Sequence, residues 1–568
     1  MPPKYDFSVF DLHKETIQRN RKQSRFFHTF LVPLLEGSNC VEEVPLSFAT
    51  VDELRVTFTK HVLEECRSSL KGRDTCVLRP VEVQKPPGPF YLNTVETTKD
   101  VSVNMVLRTQ GTVAFVASQS LVYSLVPLRN ETTQVTILGD ITTFVREFHA
   151  LEALHRSPIS RLLLGGRLES RTGGGAPAAE RTTAGLNEDQ EKVVVSSRLN
   201  ALTMVQGPPG TGKTRTLVES LRATLRDPRA VREGVLVCTP SNVAIEEIVQ
   251  RVLQEPFFAE FDVFHLEKRF AREEEEFVRL RCAKADLVLC TLSMSGSLSR
   301  VGRAFRTVFL DESTQATEPS SVIPLQFGCS RLVMFGDPCQ LPPTVLSPAA
   351  SAKGLSRSLF ERLMQNGNVP LFLSKQYRMH PEILRFPSQH FYGGKLQDCS
   401  NAPPSALDPY RVFLVDGSEC PDSFSFKNVK EAAFVQQLVA GLPQAVDSLA
   451  VITPYSSQKI LLKNLLPSVT VDTVDSFQGK EVDVAVLSCV RTRSLGFLDD
   501  WRRLNVALTR AKVATYVVMH PLALCSRDDN WKALVEDAQQ RSLLVVAEKA
   551  RPENYSGNVS PSKKEVFP

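Results

Sequence analysis

The sequence predicts an α/β protein with two successive doubly wound domains. After Leu186, short apolar segments alternate with amphipathic segments of helical spacing. Unbroken apolar runs of this length are typical of strands buried on both faces of a parallel sheet. We place the divide between Tyr392 and Val412. The first series is residues 201–206, 234–239, 286–291, 307–312 and 331–336, and the second is 411–416, 448–453, 469–474, 484–489 and 515–520.

Length and composition agree with several folded domains. The chain has 568 residues, and a prior of roughly one domain per 150 residues suggests three or four domains. Apolar residues make up 42% and charged residues 23%, which excludes wholesale disorder. The formal net charge is +4. This balance neither indicates nor excludes a polyanionic partner, because a basic channel can lie within a nearly neutral total.

The residues outside the two strand series predict four further regions. Residues 1–75 have apolar residues at helical spacing and predict an N-terminal helical region. Residues 76–140 are alternating and β-branched, which predicts a small β module. Residues 141–185 predict a helical stalk and a Gly-rich linker, and residues 549–568 a flexible tail.

The cysteines and the apolar runs indicate the kind of cellular compartment in which the protein is expected. Twelve cysteines are scattered without a CxxC pair, so no zinc site is predicted. Cys238, Cys290 and Cys489 lie in apolar runs and are expected to be buried thiols in a reducing compartment. No run approaches the ~18 apolar residues of a spanning helix, and the N-terminus lacks a signal-peptide core. We therefore expect a soluble intracellular protein without membrane association.

A phosphate-binding loop follows the first strand of the first series. Its residues are Gly207, Pro208, Pro209, Gly210, Thr211, Gly212, Lys213 and Thr214, and a helix is expected to begin near Thr214. Backbone N–H groups of such a loop surround the β-phosphate, Lys213 would reach the β and γ oxygens, and the Thr214 hydroxyl would ligate Mg²⁺. The motif in this strand–loop–helix context predicts binding of ATP and Mg²⁺.

Carboxylates and an amide follow two later strands. Asp311 and Glu312 end the segment 307–312, where Asp311 would bind Mg²⁺ and Glu312 would polarise the attacking water. Such a pair alone also occurs as an ordinary helix N-cap. Gln340 lies in GDPCQLPPT (336–344), where it would sense the γ-phosphate. That segment alone would be a Pro-rich turn. The nearby phosphate loop favours the catalytic interpretation of both segments.

Two arginines complete the predicted catalytic set. Arg378 lies between the two strand series, and Arg510 lies within the second series. A lone arginine on a helix is usually solvated or paired with an acid. An arginine supplied by a second domain would instead stabilise the transition state only when the cleft closes, which couples hydrolysis to domain movement.

The ordered motif set resembles that of superfamily 1B helicases. The resemblance covers about residues 141 to 548, in the group of the up-frameshift helicase, the immunoglobulin Mu-binding helicase and senataxin. Residues 141–151, 336–350, 386–398 and 531–542 are most similar to senataxin, whereas 311–319 and 354–363 resemble the up-frameshift branch. The motifs are LNEDQ (186–190), GPPGTGKT (207–214), TPSNVAIEEIV (239–249), TLSMSGS (291–297), DESTQATEP (311–319), GDPCQLPPT (336–344), QYRMHP (376–381), VDSFQGKEVD (474–483) and RRLNVALTRAK (502–512).

The resemblance implies the domains and the role of each residue. Residues 186–400 and 401–548 would be two tandem RecA-like domains, and residues 76–140 a small β-barrel accessory domain. Gln190 would read adenine and Tyr377 would stack on it. Gln340 and Gln478 would couple the nucleotide state to the strand, with Gly479 and Glu481 also in the nucleotide site. Contacts to the single strand would come from Pro240, Ser241, Asn242, Thr291, Ser293, Thr453, Pro454, Tyr455 and Ser476.

These observations lead to one hypothesis and two alternatives. The hypothesis is an ATP- and Mg²⁺-dependent helicase that moves 5′ to 3′ on single-stranded RNA or DNA and unwinds duplexes or RNA:DNA hybrids. It would act in RNA metabolism, in transcription termination, R-loop resolution or RNA surveillance. The alternatives are a nucleic-acid-stimulated ATPase that remodels ribonucleoproteins without processive unwinding, and a catalytically dead scaffold. We expect a nuclear monomer, with the cytoplasm as the alternative compartment. The sequence indicates no protein partner.

Overall fold

A computed structural model describes most of the chain after residue 141. Side chains and backbone are described within 142–164, 185–267, 275–345, 348–400, 406–422, 425–443, 446–493, 496–521 and 528–547, and only the backbone of seven strands before that. The predicted helical spacing around residues 26–35, the Gly-rich linker at 173–177 and the tail at 549–568 lie outside the described residues.

The seven N-terminal strands pair in one antiparallel sheet in the order β2-β1-β7-β3-β4-β5-β6. Strand β2 also pairs with β5, so six strands form a closed cycle of pairings, as a small barrel requires. Its equivalence to a helicase accessory domain stays a prediction. Two of the strands lie in residues 1–75, so the helical prediction is wrong at 43–52 and 55–58. The strands are β1 Glu43–Asp52, β2 Arg55–Phe58, β3 Asp74–Pro80, β4 Phe90–Thr97, β5 Val101–Thr109, β6 Thr112–Ala114 and β7 Thr132–Asp140.

The second sheet is parallel, in the order β10-β11-β9-β12-β13-β8-β14. Its strands are β8 Leu202–Gln206, β9 Val235–Thr239, β10 Val263–Leu266, β11 Leu287–Thr291, β12 Thr307–Leu310, β13 Arg331–Gly336 and β14 Leu371–Phe372. The helices of this part are α1 Thr142–Ala153, α2 Ser160–Leu163, α3 Glu188–Leu199, α4 Lys213–Leu225, α5 Pro228–Glu233, α6 Asn242–Gln254, α7 Glu275–Lys284, α8 Leu292–Ser295, α9 Glu318–Val322, α10 Pro348–Ala352 and α11 Leu359–Gln365.

A third sheet, also parallel, has the order β21-β20-β22-β23-β17-β24. Two short ladders accompany it, β15 Lys375–Gln376 with β16 Gln397–Asp398 and β18 Cys420–Asp422 with β19 Ser425–Lys427. The sheet strands are β17 Tyr410–Leu414, β20 Leu449–Thr453, β21 Thr470–Thr473, β22 Val482–Ser488, β23 Ala511–Met519 and β24 Leu544–Val546. The helices are α12 Pro381–Phe391, α13 Val429–Ala440, α14 Ser456–Leu465, α15 Val474–Phe477, α16 Trp501–Leu508 and α17 Asp529–Gln540.

The two parallel sheets confirm the doubly wound α/β prediction. Each of the ten apolar segments coincides with a strand of the second or third sheet. Three further strands of these sheets, β10, β14 and β24, lie at sheet edges and were not predicted. In β10 buried residues alternate with partly exposed ones, because an edge strand is covered less completely than a central one. The apolar run that identifies a central strand is therefore missing there.

Helix α12 packs with the third sheet, although the predicted boundary at residue 400 assigns it to the first domain. Ile383, Leu384 and Phe386 belong to the same buried apolar cluster as Leu504 and Trp531. The helix contacts both α16 and α17. The chain therefore passes from the first α/β domain to the second before α12. The predicted boundary at residue 400 lies too far towards the C-terminus by this packing criterion.

The predicted stalk is helical and packs on the second sheet. Leu151, Leu154 and Leu163 are buried in one apolar cluster with residues of β9, β11 and β12. Arg362 donates from Nη2 to the Leu163 carbonyl at 2.6 Å and from Nε to Glu318 Oε1 at 2.6 Å. These contacts make α1 and α2 part of the first α/β domain.

The burial of the cysteines agrees with the sequence analysis. Cys238, Cys290 and Cys489 are buried free thiols, as predicted, and burial raises the pKa of Cys290 and Cys489. Within the ranges given above, no helix has both the length and the apolar character needed to cross a bilayer.

Glu147 is a buried acid on α1. Its side chain accepts hydrogen bonds from the hydroxyls of Ser320 and Thr317, and only 4% of the residue is exposed. Burial raises its pKa to about 7, against 4.5 for an ordinary glutamate, and the two hydroxyls only partly offset this. The folded protein therefore binds a proton at Glu147 more tightly than the unfolded chain does.

We expect Glu147→Gln to remove a pH dependence of stability. The contribution of protonated Glu147 is fully present below pH 4.5 and is lost as the pH rises through about 7. Glutamine keeps an acceptor oxygen and does not titrate. At pH 8 the variant should be more stable than the parent by up to about 3 kcal/mol, and near pH 4 the two should agree. Urea unfolding at several pH values measures this, and parallel stability curves would contradict it.

Candidate nucleotide cleft and strand-facing residues

The phosphate loop connects β8 to α4, which begins at Lys213. Gly210 and Gly212 have φ of +75° and +77°, a left-handed conformation that glycine adopts without steric cost. The Thr211 hydroxyl donates to the Pro208 carbonyl at 2.7 Å, and the Gly207 N–H donates to the Gly336 carbonyl at 2.9 Å. The loop is thus shaped by its own residues and fixed to the end of β13.

The two predicted carboxylates follow β12 and face the lysine of this loop. Lys213 Nζ forms an ion pair with Glu312 and lies 3.9 Å from Asp311 Oδ1. Glu312 has φ 49° and ψ 35°, a left-handed conformation that is costly for a residue with a Cβ and that concentrates at functional sites. Its second oxygen accepts a hydrogen bond from Gln315 Nε2 at 2.6 Å.

Burial and Coulombic attraction act in opposite directions on these three groups. Burial raises the pKa of Asp311 to about 7, partly offset by Lys213. Burial would also raise the pKa of Glu312. The charge and hydrogen bond of Lys213, together with the Gln315 hydrogen bond and the charge of Arg510, outweigh burial and hold that pKa below its usual value. For Lys213, burial lowers the pKa, and the two carboxylates outweigh it, so the net pKa is raised. Lys213 and Glu312 therefore remain a charged pair at neutral pH.

Gln340 lies in the loop after β13 and lines the same cleft. Its Nε2 donates to Asp337 Oδ2 at 2.9 Å, and only 6% of the residue is exposed. Asp337 Oδ1 accepts from Gln206 Nε2 at 3.3 Å and from the Cys339 N–H at 3.2 Å. Burial raises the pKa of Asp337 against these hydrogen bonds.

The two predicted arginines reach the cleft from the side of the third sheet. Arg378 donates from Nε to Glu481 Oε2 at 2.8 Å, and Lys512 Nζ lies 2.9 Å from the other oxygen of Glu481. Arg510 is 2% exposed and donates from Nε to the Val506 carbonyl at 2.8 Å. Burial, with the charge of Arg378 as the next cause, lowers the pKa of Arg510 to about 9, so it stays protonated at neutral pH.

These groups line one cleft of about 900 Å³, which is within the range of small-molecule and cofactor sites. The structure brings together the predicted residues Gly207 to Thr214, Glu312, Gln340, Tyr377, Arg378, Gly479, Glu481 and Arg510. Sequence reasoning missed the lining residues Arg215, Glu247, Arg251, Thr470, Phe477, Lys480, Val482 and Lys512. Five of these lie inside the quoted motifs 239–249, 474–483 and 502–512, and those motifs are the signal that could have identified them, namely Glu247, Phe477, Lys480, Val482 and Lys512. Arg215, Arg251 and Thr470 lie outside the motifs, although Arg251 forms an i,i+4 charge pair with Glu247.

The residues predicted to contact the base meet beside the phosphate loop. Gln190 is buried, with Nε2 donating to the Thr211 carbonyl at 3.1 Å and Oε1 accepting from the Asn187 N–H at 3.1 Å. Both its polar groups thus bind within the protein, and adenine recognition stays a prediction. Tyr377 is 47% exposed, and its hydroxyl accepts from Asn187 Nδ2 at 2.8 Å. An exposed ring of this kind can stack on a base.

The donor set fits a phosphate group with Mg²⁺. Thr214 and Asp311 offer a hydroxyl and a carboxylate, and oxygen atoms are the ligands that Mg²⁺ prefers. No cluster of three or more His, Cys, Asp or Glu able to hold a metal exists in the described part of the chain. Gln478, which is predicted to couple the nucleotide state to the nucleic-acid strand, is a separate case. Its side-chain amide oxygen and nitrogen are both buried and lack a hydrogen-bond partner among the described residues.

Several of the residues predicted to contact single-stranded nucleic acid follow the carboxyl ends of β-strands, where parallel sheets usually bind ligands. Pro240, Ser241 and Asn242 follow β9, and Ser241 and Asn242 are exposed. Thr291 ends β11, and Ser476 is exposed in α15 after β21.

Ser293 is already engaged with the stalk. Its hydroxyl lies 2.8 Å from the Thr143 hydroxyl, and Arg146 Nη1 donates to its carbonyl at 2.7 Å.

The structure contradicts strand contact for Thr453 and Tyr455. Thr453 is fully buried, and Tyr455 is 1% exposed. The Tyr455 ring packs 6.0 Å from that of Phe426, and Arg491 lies over it at 5.6 Å. The Tyr455 side chain is thus covered by Phe426 of β19, and neither buried side chain presents a surface to a nucleic-acid strand. Pro454 between them is partly exposed and stays a prediction.

Family models match both parallel-sheet domains. A model described as an AAA domain matches residues 185–263 and 259–348, and a second model of the same description matches residues 355–521. The regulator of nonsense transcripts 1 homolog of Arabidopsis thaliana is 33% identical over 435 residues, which are 63% of this chain and 34% of that protein. The ATP-dependent helicase NAM7 of Saccharomyces cerevisiae is 32% identical over 434 residues, or 64% of this chain and 44% of that protein.

Across the two matched regions, the chain is similar in sequence to up-frameshift-like superfamily 1 helicases. The probable helicase MAGATAMA 3 of Arabidopsis thaliana is 29% identical over 598 residues, covering 79% of this chain and 73% of that protein. The chain spans between about a third and somewhat under half of the regulators of nonsense transcripts that it matches. Among solved structures, an arterivirus nonstructural protein 10 helicase is similar over 88% of this chain and 82% of its own, with 16% identity and a TM-score of 0.37.

We expect Gly210→Ala to abolish most ATP hydrolysis. A Cβ at Gly210 would lie 2.6 Å from the Cβ of Arg378, and φ there is +75°. Both the loop and Arg378 would have to move, so ATP hydrolysis should fall by at least tenfold. Gly302→Ala is the matched control, because its φ is +71° and nothing lies within 4 Å of the added Cβ. The control should cost about 1 kcal/mol of stability and leave hydrolysis unchanged. Equal hydrolysis by both variants would contradict the expectation.

Proposed function

We propose that this chain is an ATP-dependent helicase that moves along single-stranded nucleic acid. One observation carries the proposal: the phosphate loop and Glu312 of one domain line the same cleft as Arg378 and Arg510 from the side of the other. A nucleotide in this cleft would contact both domains. Closure and opening of the cleft would then follow binding and hydrolysis.

The resting contacts suggest how each side chain acts during hydrolysis. Lys213 would exchange Glu312 for the phosphate oxygens, which leaves the Glu312 carboxylate free to orient the attacking water. Arg378 would exchange Glu481 for the γ-phosphate, and Lys512 remains as the partner of Glu481. Arg510 would supply a second positive charge to the transition state. Thr214 and Asp311 would hold Mg²⁺, which neutralises phosphate charge when bound.

The finer parts of the proposal concern the strand and the pathway. Ser241, Asn242 and Ser476 are exposed hydroxyl and amide groups, which contact sugar and phosphate without reading base edges. Both RNA and DNA are therefore proposed substrates. The 5′ to 3′ direction and a senataxin-like subgroup are proposed from the motif resemblance. A role in RNA surveillance is proposed from the names of the regulators of nonsense transcripts, and nuclear localisation and a monomeric state from the resemblance alone.

The ATPase alternative differs from the helicase in a single property. A remodelling ATPase would also hydrolyse ATP in response to a strand but would not separate duplexes. The dead scaffold is disfavoured because Lys213, Glu312 and Arg378 are intact and contact suitable partners. Two measurements decide among the three.

The first measurement is ATP hydrolysis with and without a strand. Poly-uridine RNA or single-stranded DNA should raise kcat of the purified protein at least tenfold, and the ratio between the two strands indicates the preferred substrate. Lys213→Ala should lose hydrolysis by at least 100-fold while still binding strand. A protein that binds strand and hydrolyses no ATP would be the scaffold, and the proposal would fail.

The second measurement is strand displacement on matched duplexes. We expect ATP-dependent separation of a duplex with a 5′ single-stranded overhang and none with a 3′ overhang. An RNA:DNA hybrid, an RNA duplex and a DNA duplex of equal length test the preference among substrates. Strand-stimulated hydrolysis without separation of any duplex would favour the remodelling ATPase.

A further inference from the structure

Tyr392 links the two domains through a buried chain of hydrogen bonds. Its hydroxyl donates to Asp337 Oδ2 at 2.8 Å and accepts from Asn505 Nδ2 at 2.8 Å. Asn505 Nδ2 also donates to the Cys339 carbonyl at 2.6 Å. Tyr392 is 5% exposed, and Asp337 and Asn505 are at most 1% exposed. Hydrogen bonds to a buried carboxylate are among the stronger ones in proteins. This series of hydrogen bonds therefore constrains the position of Asp337 relative to Asn505.

The two ends of the chain are attached to groups of the nucleotide cleft. At one end, Asp337 Oδ2 also accepts from Gln340 Nε2 at 2.9 Å. At the other end, Asn505 lies in α16, whose Val506 carbonyl accepts from Arg510 Nε at 2.8 Å. Gln340 and Arg510 line the cleft, whereas Tyr392 and Asn505 do not. Tyr392 therefore stands between the two groups without access to the nucleotide.

We propose that Tyr392 is a positioning residue that couples the Gln340 loop to Arg510. This inference rests on the proposed ATP hydrolysis. A displacement of the Gln340 loop moves Asp337, and the Tyr392 hydroxyl transmits that displacement to α16 and thus to Arg510. Without the hydroxyl, the Asn505 side chain of α16 would keep only its bond to the Cys339 carbonyl, and Arg510 would be held less tightly in register with the first domain. Nucleotide binding would be unaffected, because no cleft contact is lost.

Tyr392→Phe removes the link and leaves its partners satisfied. Asp337 keeps its hydrogen bond from Gln340, and Asn505 Nδ2 keeps its bond to the Cys339 carbonyl. Tyr410→Phe is a matched control from the same apolar cluster. The Tyr410 hydroxyl is buried and has no hydrogen-bond partner within the described residues. Both variants delete one hydroxyl oxygen from a buried ring, but only Tyr392→Phe removes hydrogen bonds that link the two domains.

The experiment measures strand-stimulated ATP hydrolysis by the full chain. We expect Tyr392→Phe, which breaks both hydrogen bonds of the Tyr392 hydroxyl, to lower kcat about five- to tenfold, an effect of the size that buried hydrogen bonds contribute. KM for ATP should stay within about twofold, and the loss of two buried hydrogen bonds should lower Tm by roughly a few degrees relative to the control. Tyr410→Phe should match the parent in kcat and KM. Equal kcat for the two variants, or a loss in KM and Tm in place of kcat, would overturn the inference.

A second arm places Tyr392→Phe in an Arg510→Ala background. Hydrolysis is followed as a single turnover with protein in excess, so that slow rates remain measurable. If Tyr392 acts through Arg510, the added substitution changes the rate less than twofold. A further five- to tenfold loss would show an independent role and overturn the inference. A parent chain that hydrolyses no ATP would overturn the proposed function itself, a result distinct from the failure of Tyr392 alone.

Discussion

The buried ion pair between Lys213 and Glu312 is the constraint on which the site depends. Two oppositely charged groups are costly to bury unless they pair closely, and each shifts the pKa of the other towards its charged form. The pair requires that α4 begin at Lys213 and that β12 end at the adjacent carboxylates. Both conditions follow from the parallel sheet, whose strands end at one edge.

The second domain has an analogous arrangement around Glu481. Arg378 and Lys512 share this carboxylate, while Arg510 Nε donates to the Val506 carbonyl of α16. Four cationic groups that line the cleft thus have protein partners in the resting structure, namely Lys213, Arg378, Arg510 and Lys512. A nucleotide would exchange these partners rather than meet uncompensated charges. This exchange of protein partners for nucleotide phosphates would be the physical cause of cleft closure.

Much of the fold and of the nucleotide site could be predicted from the sequence. Central strands are apolar throughout, and phosphate loops have fixed spacing, so β8, β9, β11 to β13 and residues 207–214 could be identified without coordinates. The edge strand β10 and the packing of α12 could not, because both depend on which surface covers them. Tyr455 and Thr453 match the family motif, yet the fold encloses them. Tyr392 was missed for the opposite reason, since no motif distinguishes a tyrosine that bonds across a domain boundary.

The lining of the cleft also determines where the charge of this protein is concentrated. Seven cationic side chains line it against three acidic ones, namely Lys213, Arg215, Arg251, Arg378, Lys480, Arg510 and Lys512 against Glu247, Glu312 and Glu481. This surplus of four equals the formal net charge of +4 of the whole chain, so the remainder is formally neutral. A concave positive site attracts an anion over about a Debye length. Salt should therefore slow the capture of free nucleotide by this cleft.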